Sequence, residues 1–256
     1  MENLKLHGAK NIRDFGGLKN REGKTVKSGC FLRGNALNKL SKRDMRILTK
    51  QYRLGSVIDL RTAQEEREKP DAVIPGVRYS LIPIFSEATA GITREKETTS
   101  LQMLDNCIEF VDLYAHMTRD EESRARLAET FDLILNKPDG EALLWHCTQG
   151  KDRCGLVSAL FLSLLDVEPE VILEDYLFTN TVPSPQEKMY AFLVRLLTRD
   201  EKRVEKVHRI YRADPAYLEA AFDGAAELFG SVDGFIRDGL GIDDEKKAAF
   251  KAKYLE

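Results

Sequence analysis

The sequence predicts an α/β fold: a mostly parallel central sheet flanked by helices, in one domain spanning residues 1–256, with helical additions near the active site. Three observations predict it. Short apolar strand candidates alternate with helical patterns along the chain. The last strand candidate, residues 142–145, runs into a tight loop and then a second apolar run over 156–165, which reads as strand, loop, helix. With 256 residues, 43% hydrophobic and 32% charged, the chain is long enough to bury a substantial core.

The elements follow in order. Asn11-Ile12-Arg13-Asp14-Phe15-Gly16-Gly17-Leu18 and Arg21-Glu22-Gly23-Lys24 read as extended chain with turns. Cys30-Phe31-Leu32-Arg33 is a short strand. The helix after it has Ser41 as N-cap, Asp44 in the capping-box position and Leu40 with Met45 as the hydrophobic staple. Met45, Leu48 and Tyr52 keep helical spacing, and Gly55 is placed as the stop. Val57-Ile58-Asp59-Leu60 and residues 77–84 are strands. A helix near 103–117 and another over 123–135 precede the 142–145 strand; Leu127, Phe131, Ile134 and Leu135 share a face of the second.

The carboxyl end is helical. Asp214-Pro215 supplies a cap and a first-turn proline, and Leu218, Ala221, Phe222, Ala225, Leu228 and Phe229 form the core stripe. Gly230 stops that helix, Ser231 caps the next, and Gly239 and Gly241 break it. Residues 86–122 and 183–212 exceed what a minimal sheet requires. Each either folds over the active-site mouth as a lid or packs as peripheral helices.

A net charge of −3 supplies no global basic field for nucleic acid or anionic membrane, so attraction for any anionic ligand must be local. Met1-Glu2-Asn3-Leu4-Lys5 lacks the apolar run of a secretory signal. The apolar stretch 156–167 contains Ser158, Ser163 and Asp166 and is too short to span a bilayer. Cysteines 30, 107, 147 and 154 form no zinc-type doublets and suit a reducing compartment. The expected setting is cytoplasmic, with no nucleic acid partner, no stable membrane insertion, no metal and no cofactor.

The most informative segment is His146-Cys147-Thr148-Gln149-Gly150-Lys151-Asp152-Arg153-Cys154-Gly155. A loop at a helix start aims backbone N–H groups at one point, and the helix dipole adds positive potential there. A thiol in that field loses its proton easily, and helix N-termini with nearby cations bring cysteine pKa values down to roughly 3.5–7.5. Arg153 can return across the loop and grip two oxygens of an oxyanion with its planar fork. A thiolate, a cradle of amides and a bidentate cation describe an enzyme that attacks a phosphate monoester.

His-Cys-x-x-Gly-Lys-Asp-Arg-x-Gly resembles the phosphate-binding loop of the cysteine-dependent protein-tyrosine phosphatase superfamily. Its Gly-Lys-Asp-Arg form is similar to that of the atypical bacterial and fungal tyrosine phosphatases. Asn11-Ile12-Arg13-Asp14-Phe15-Gly16-Gly17, Phe31-Leu32-Arg33-Gly34, Val57-Ile58-Asp59-Leu60-Arg61 and the region 217–240 extend the resemblance along most of the chain. It implies a protein-tyrosine-phosphatase-like fold and a metal-independent phosphomonoester hydrolase working through a phosphocysteine, most readily a tyrosine phosphatase with dual specificity. A phosphoinositide phosphatase and a catalytically weak phosphate-binding module are the alternatives, and a rhodanese-type sulfur-transfer enzyme lacks this loop spacing.

On that resemblance Cys147 is the nucleophile, Arg153 holds two equatorial oxygens and Asp152 is the general acid, catalysis then needing no mobile aspartate loop. Asp152 could instead orient Arg153 or a neighbouring helix N-terminus. Thr148, Gln149, Gly150, Lys151, Asp152 and Arg153 form the phosphate cradle; Gly150 lets the backbone curl. The Lys151 side chain either grips a further phosphate at the mouth or stays solvated. His146 tunes the thiolate from behind the loop. Cys154 stands where the superfamily carries serine or threonine; its S–H is a weak donor. A raised Cys147 pKa, slow hydrolysis of the intermediate and a Cys147–Cys154 disulfide are the expectations that follow. Asp14 and Asp59 are read as scaffold carboxylates, and the basic run over 202–212 as a solvated helix face or, on a lid, a recruiter of polyanionic head groups. The expected partners are phosphorylated proteins or small phosphomonoesters, including phosphoinositides.

Overall fold

The computed structural model describes residues 1–86 and 109–256. Its sheet has five strands: β1 (Arg13–Asp14), β2 (Phe31–Gly34), β3 (Leu54–Asp59), β4 (Arg78–Leu81) and β5 (Ala142–His146), in the spatial order β1-β2-β5-β3-β4. Only β1 is antiparallel to its neighbour; β2, β5, β3 and β4 run parallel. β5 is central and buried along its whole length, which is why it reads as an unbroken apolar run. Side-chain alternation splits the core into two layers. Phe31, Ile58 and Trp145 face one, and Leu32, Val57 and Leu144 face the other.

The larger layer is built from α3 (Phe110–Arg119), α4 (Glu121–Leu135), α5 (Asp152–Leu164), α9 (Pro215–Phe229) and α11 (Asp244–Tyr254). The smaller packs the chain around α1 (Lys42–Arg46) and a π-helical turn, Ile47–Gln51, against Leu32 and Leu144. Four further elements surround the carboxyl edge of the strands: α2 (Ala63–Glu68), α6 (Pro169–Phe178), α7 (Pro185–Thr198) and α8 (Glu201–Tyr211). A short α10 (Val232–Gly234) completes the set, capped by Ser231. No described helix is long and apolar enough to cross a membrane.

Local signals set most boundaries. Ser41 Oγ accepts the Asp44 amide at 3.2 Å, and the Asp44 carboxylate accepts the Ser41 amide at 2.9 Å, completing the capping box. Asp214 caps α9 by accepting the Ala216 amide, and Gly230 at φ +79° ends it in the left-handed region. α4 begins two residues before the expected start, where the Asp120 carboxylate accepts the Ser123 amide.

Three expectations are corrected. Gly55 does not stop the first helix: Arg53 takes the left-handed position at φ +53°, and Gly55 lies inside β3, where a Cβ would collide with Glu141. The strand expected over 77–84 is shorter, Arg78–Leu81. Leu228 leaves the α9 core stripe and is exposed, while Phe222 and Phe229 are only half-buried. The helix expected near 103–117 lies partly outside the described residues, and its described part is α3. Of the two lid candidates, residues 87–108 of the first lie outside the described residues, and the second folds as the α7–α8 pair.

Asp44 also accepts the His7 and Gly8 amides at 2.8 and 2.9 Å, pinning the amino-terminal segment to α1. Burial alone would raise its pKa, yet the amides of His7, Ser41 and Gly8 outweigh it and bring it down to about 2. A carboxyl depressed from 3.8 in the folded chain stabilises fully above that value and loses the contribution as pH falls toward 2. Asp44→Ala should therefore lower stability by about 2 kcal/mol near neutral pH, read from urea midpoints. The gap from wild type should close as the acid limb is approached.

Candidate active site

Residues 147–151 form the turn between the carboxyl end of β5 and the first residue of α5, Asp152. The loop is shaped from outside. The Thr148 carbonyl accepts the Ala36 amide at 3.2 Å, Asn11 Nδ2 donates to the Gln149 carbonyl at 3.1 Å, and Arg33 Nη2 donates to the Gly150 carbonyl at 2.9 Å. In a trans peptide the next N–H points opposite to the carbonyl, so the amides of Gln149, Gly150 and Lys151 are turned toward the inside of the loop. Gly150 sits at φ +71°, and a Cβ there would lie 2.6 Å from the Gly34 backbone. Only glycine lets the loop lie this close against the end of β2.

Behind the loop is a buried charge network. Arg13 Nε donates to Asp175 Oδ1 at 2.8 Å, Arg13 Nη1 to Asn11 Oδ1 at 2.7 Å, and Arg33 Nη1 to Asp175 Oδ2. Burial would raise the Asp175 carboxyl, but Arg33 and Arg13 hold it below the usual carboxylate range. Two guanidiniums share one carboxylate, so the network leaves positive charge beneath the loop.

Arg153 is fixed by a residue from another segment. Its Nη1 and Nη2 donate to Glu65 Oε2 and Oε1 at 2.6 and 2.9 Å, and the Thr148 hydroxyl donates to the same carboxylate at 2.7 Å. Glu65 is also the capping-box residue of α2, accepting the Thr62 amide at 2.8 Å. Burial opposes its ionisation, yet Arg153, Thr148 and the Thr62 amide bring its pKa down to about 2.

Asp152 Oδ1 accepts the Tyr114 hydroxyl at 2.7 Å, and Tyr114 and Tyr176 hydroxyls pair at 2.8 Å. Lys151 is turned away from the mouth. It is fully buried, its Nζ donating to the Ile210 carbonyl at 2.6 Å at the end of α8, 3.3 Å from Asp152 Oδ1 and 4.7 Å from the Phe110 ring centre. The mouth therefore carries no Lys151 ammonium, because the carboxyl end of α8 offers it an acceptor inside the fold.

His146 also points backward. Its Nε2 lies 2.8 Å from Asp71 Oδ2, and its Nδ1 is 3.2 Å from the Cys147 carbonyl. Burial would lower its pKa, but Asp59 and Asp71 outweigh it and raise it. Asp59, Asp71 and His146 bring ligand-type atoms within 4.8 Å of one another, and Arg61 already pairs with both carboxylates at 2.7 and 3.1 Å. Asp14 accepts the Gly16 and Gly29 amides and supports the turns there.

Cys154 Sγ contacts the Trp145 carbonyl at 3.7 Å and also bonds Arg33, on the sheet side of α5. Cys147 and Cys154 are both buried and no disulfide joins them in this structure; Cys107 lies outside the described residues. Above the loop opens a cleft of about 950 Å³. Thr148, Gln149, Asp152 and Arg153 line it, with walls that include Phe85, Phe110 and the start of α7; Cys147 is wholly buried below.

The structure thus joins the loop to residues that sequence reasoning did not assign to the site: Glu65, Tyr114, Asp71, Asp175 and the side chains of Asn11, Arg13 and Arg33. The last three sat inside motifs noted only for resemblance.

Fold and site together define a phosphatase of the cysteine-loop type, and the tyrosine phosphatase family matches residues 4–256: the chain belongs to that family. A Cupriavidus necator protein that carries the name tyrosine-protein phosphatase is 27% identical over 242 residues, covering 91% of this chain and 82% of its own. The triple specificity protein phosphatase PtpB of Mycobacterium tuberculosis is 25% identical over 264 residues, covering 91% and 92%. Among solved structures, the core catalytic domain of the PP-IP phosphatase SIW14 from S. cerevisiae, in complex with citrate, aligns with TM-score 0.37 and 13% identity over 76% of this chain and 98% of that one.

Glu65→Gln keeps the shape and removes the charge that orients Arg153. Its kcat/KM on an aryl phosphate should fall by about 10²-fold. Because the Glu65 carboxyl is depressed from 4.5 to about 2, its stabilising contribution is complete above pH 4.5 and lost as pH falls toward 2. Acid unfolding of wild type, but not of the glutamine variant, should carry that component.

Proposed function

We propose that the chain hydrolyses phosphotyrosine and related aryl phosphates through a phosphocysteine on Cys147. The observation that carries this reading is the loop itself: three carbonyls held outward on Ala36, Asn11 and Arg33, amides turned inward, and positive charge beneath. The Cys147 thiolate attacks phosphorus in line with the ester oxygen, an S–P bond forms and the P–O bond to the leaving group breaks. Amides of the loop and Arg153 take the equatorial oxygens; a guanidinium with five donors can serve phosphate and Glu65 together.

Asp152 gives its proton to the departing oxygen, with Tyr114 holding Oδ1 so that the other oxygen carries the proton. Water then attacks the phosphocysteine, Asp152 takes its proton, and phosphate leaves with the thiolate restored. His146 braces the loop start from behind through its contact with the Cys147 carbonyl, and Cys154 acts at one remove through Arg33 and β5. No step calls for a metal. A thiolate nucleophile suits a reducing compartment, which supports a cytoplasmic setting.

Burial of Cys147 beneath Phe85 and Phe110 favours an aromatic ester over the shorter phosphoserine. Exposed Lys10, Lys39 and Lys69 on the cleft lining favour a second reading, a phosphoinositide carrying further phosphates. Turnover should be measured on an aryl phosphate, phosphotyrosine and phosphoserine peptides, and soluble inositol phospholipids. Cys147→Ser should abolish all turnover. Asp152→Asn should slow turnover about 10²–10⁴-fold for poor leaving groups and much less for good ones. A uniform loss across leaving groups would remove Asp152 from the acid role, and preference for the inositol lipid would favour the second reading.

A further inference from the structure

Helix α7 is apolar on two opposite faces. Ala191 and Val194 are buried against the body of the protein, as one face of a peripheral helix must be. Met189, Phe192, Leu193, Leu196 and Leu197 follow the i, i+3, i+4, i+7, i+8 spacing of a single stripe, yet they are 39–71% exposed. Five large apolar side chains on one exposed helix face are far from the scattered hydrophobes of an ordinary surface.

Charge identifies what this face meets. Residues 185–212, the α7–α8 pair, contain eight lysines and arginines against four acids, whereas the remaining residues contain 31 against 38. Lys188 and Arg199 are exposed and lie along one side of the stripe, Lys188 one residue before Met189 and Arg199 two after Leu197. A convex apolar stripe with a basic border is the pattern of a helix that lies in the plane of an anionic lipid surface. A second copy of the chain would instead bring two like-charged helix pairs together.

The stripe is also continuous with the catalytic cleft, since Pro185, Gln186 and Met189 belong to the cleft lining. His208 Nδ1 and Arg212 Nε both meet Glu187 Oε1, at 2.8 and 2.7 Å, tying α8 to the same end of α7. We propose that α7 docks the protein on anionic membranes, burying its outward stripe at the headgroup boundary and setting the cleft mouth beside that surface. The docking claim does not depend on which phosphomonoester the cleft hydrolyses.

The test is co-sedimentation of the full chain with phosphatidylcholine vesicles, with and without phosphatidylserine. Two double variants, F192S/L196S and K188E/R199E, lie outside the catalytic machinery and are compared with wild type. Wild type should bind the phosphatidylserine vesicles, more weakly as salt rises. Each double variant should lose affinity by roughly tenfold or more, with kcat and KM on a soluble aryl phosphate and the urea midpoint unchanged. Absence of wild-type binding to anionic vesicles would overturn the proposal, as would binding that F192S/L196S leaves intact. A dimer in analytical ultracentrifugation that F192S/L196S dissociates would assign the face to a second copy instead, and would equally overturn it.

Discussion

Asp175 stands between Arg13 and Arg33 in the interior, and the shape of the candidate site depends on that arrangement. A lone buried guanidinium is expensive to desolvate, and two side by side repel each other. One carboxylate from α6 makes both tolerable, and each arginine turns a further donor toward the loop: Arg33 to the Gly150 carbonyl, Arg13 to Asn11, which in turn holds Gln149. Loop shape and local electrostatics therefore share an origin. Among the described residues no second carboxylate joins the network, and an anion bound in the loop would be the natural complement of the residual positive charge.

Glu65 plays the matching part on the cleft side. It closes the first turn of α2, anchors Thr148 and fixes Arg153, so one carboxylate joins a helix cap to the guanidinium that faces the cleft. The parallel sheet is what brings these pieces together. β2, β3 and β5 all end at the same edge, and the segments that follow them carry Asn35, Arg61 and the loop respectively. The proposed chemistry thus rests on side chains drawn from well-separated stretches of the chain, each oriented by a structural partner.

What the sequence disclosed and withheld follows from distance along the chain. The strand-loop-helix around Cys147, the Ser41–Asp44 box, and the Asp214-Pro215 start and Gly230 stop of α9 are contests settled within a few residues, so local rules read them. Where a local rule failed, a neighbour had won: Arg53 adopted the left-handed turn that Gly55 was expected to take. Arg13 meets Asp175 across 162 residues and Arg153 meets Glu65 across 88, and no periodicity carries such pairings. The side chain of Lys151 was ambiguous for the same reason, since its direction is set by a carbonyl at the far end of α8.

That lysine has a consequence for anyone recombining this protein with its relatives. Its backbone belongs to the loop and its ammonium group to the terminus of α8, so the loop and the α7–α8 pair form one heritable unit. A chimera that exchanged the helix pair alone would leave a cation stranded in the interior, and one that exchanged the loop alone would leave carbonyls without their donor. The two segments, 34 residues apart at the nearest, from Lys151 to Pro185, are best transplanted together or left in place.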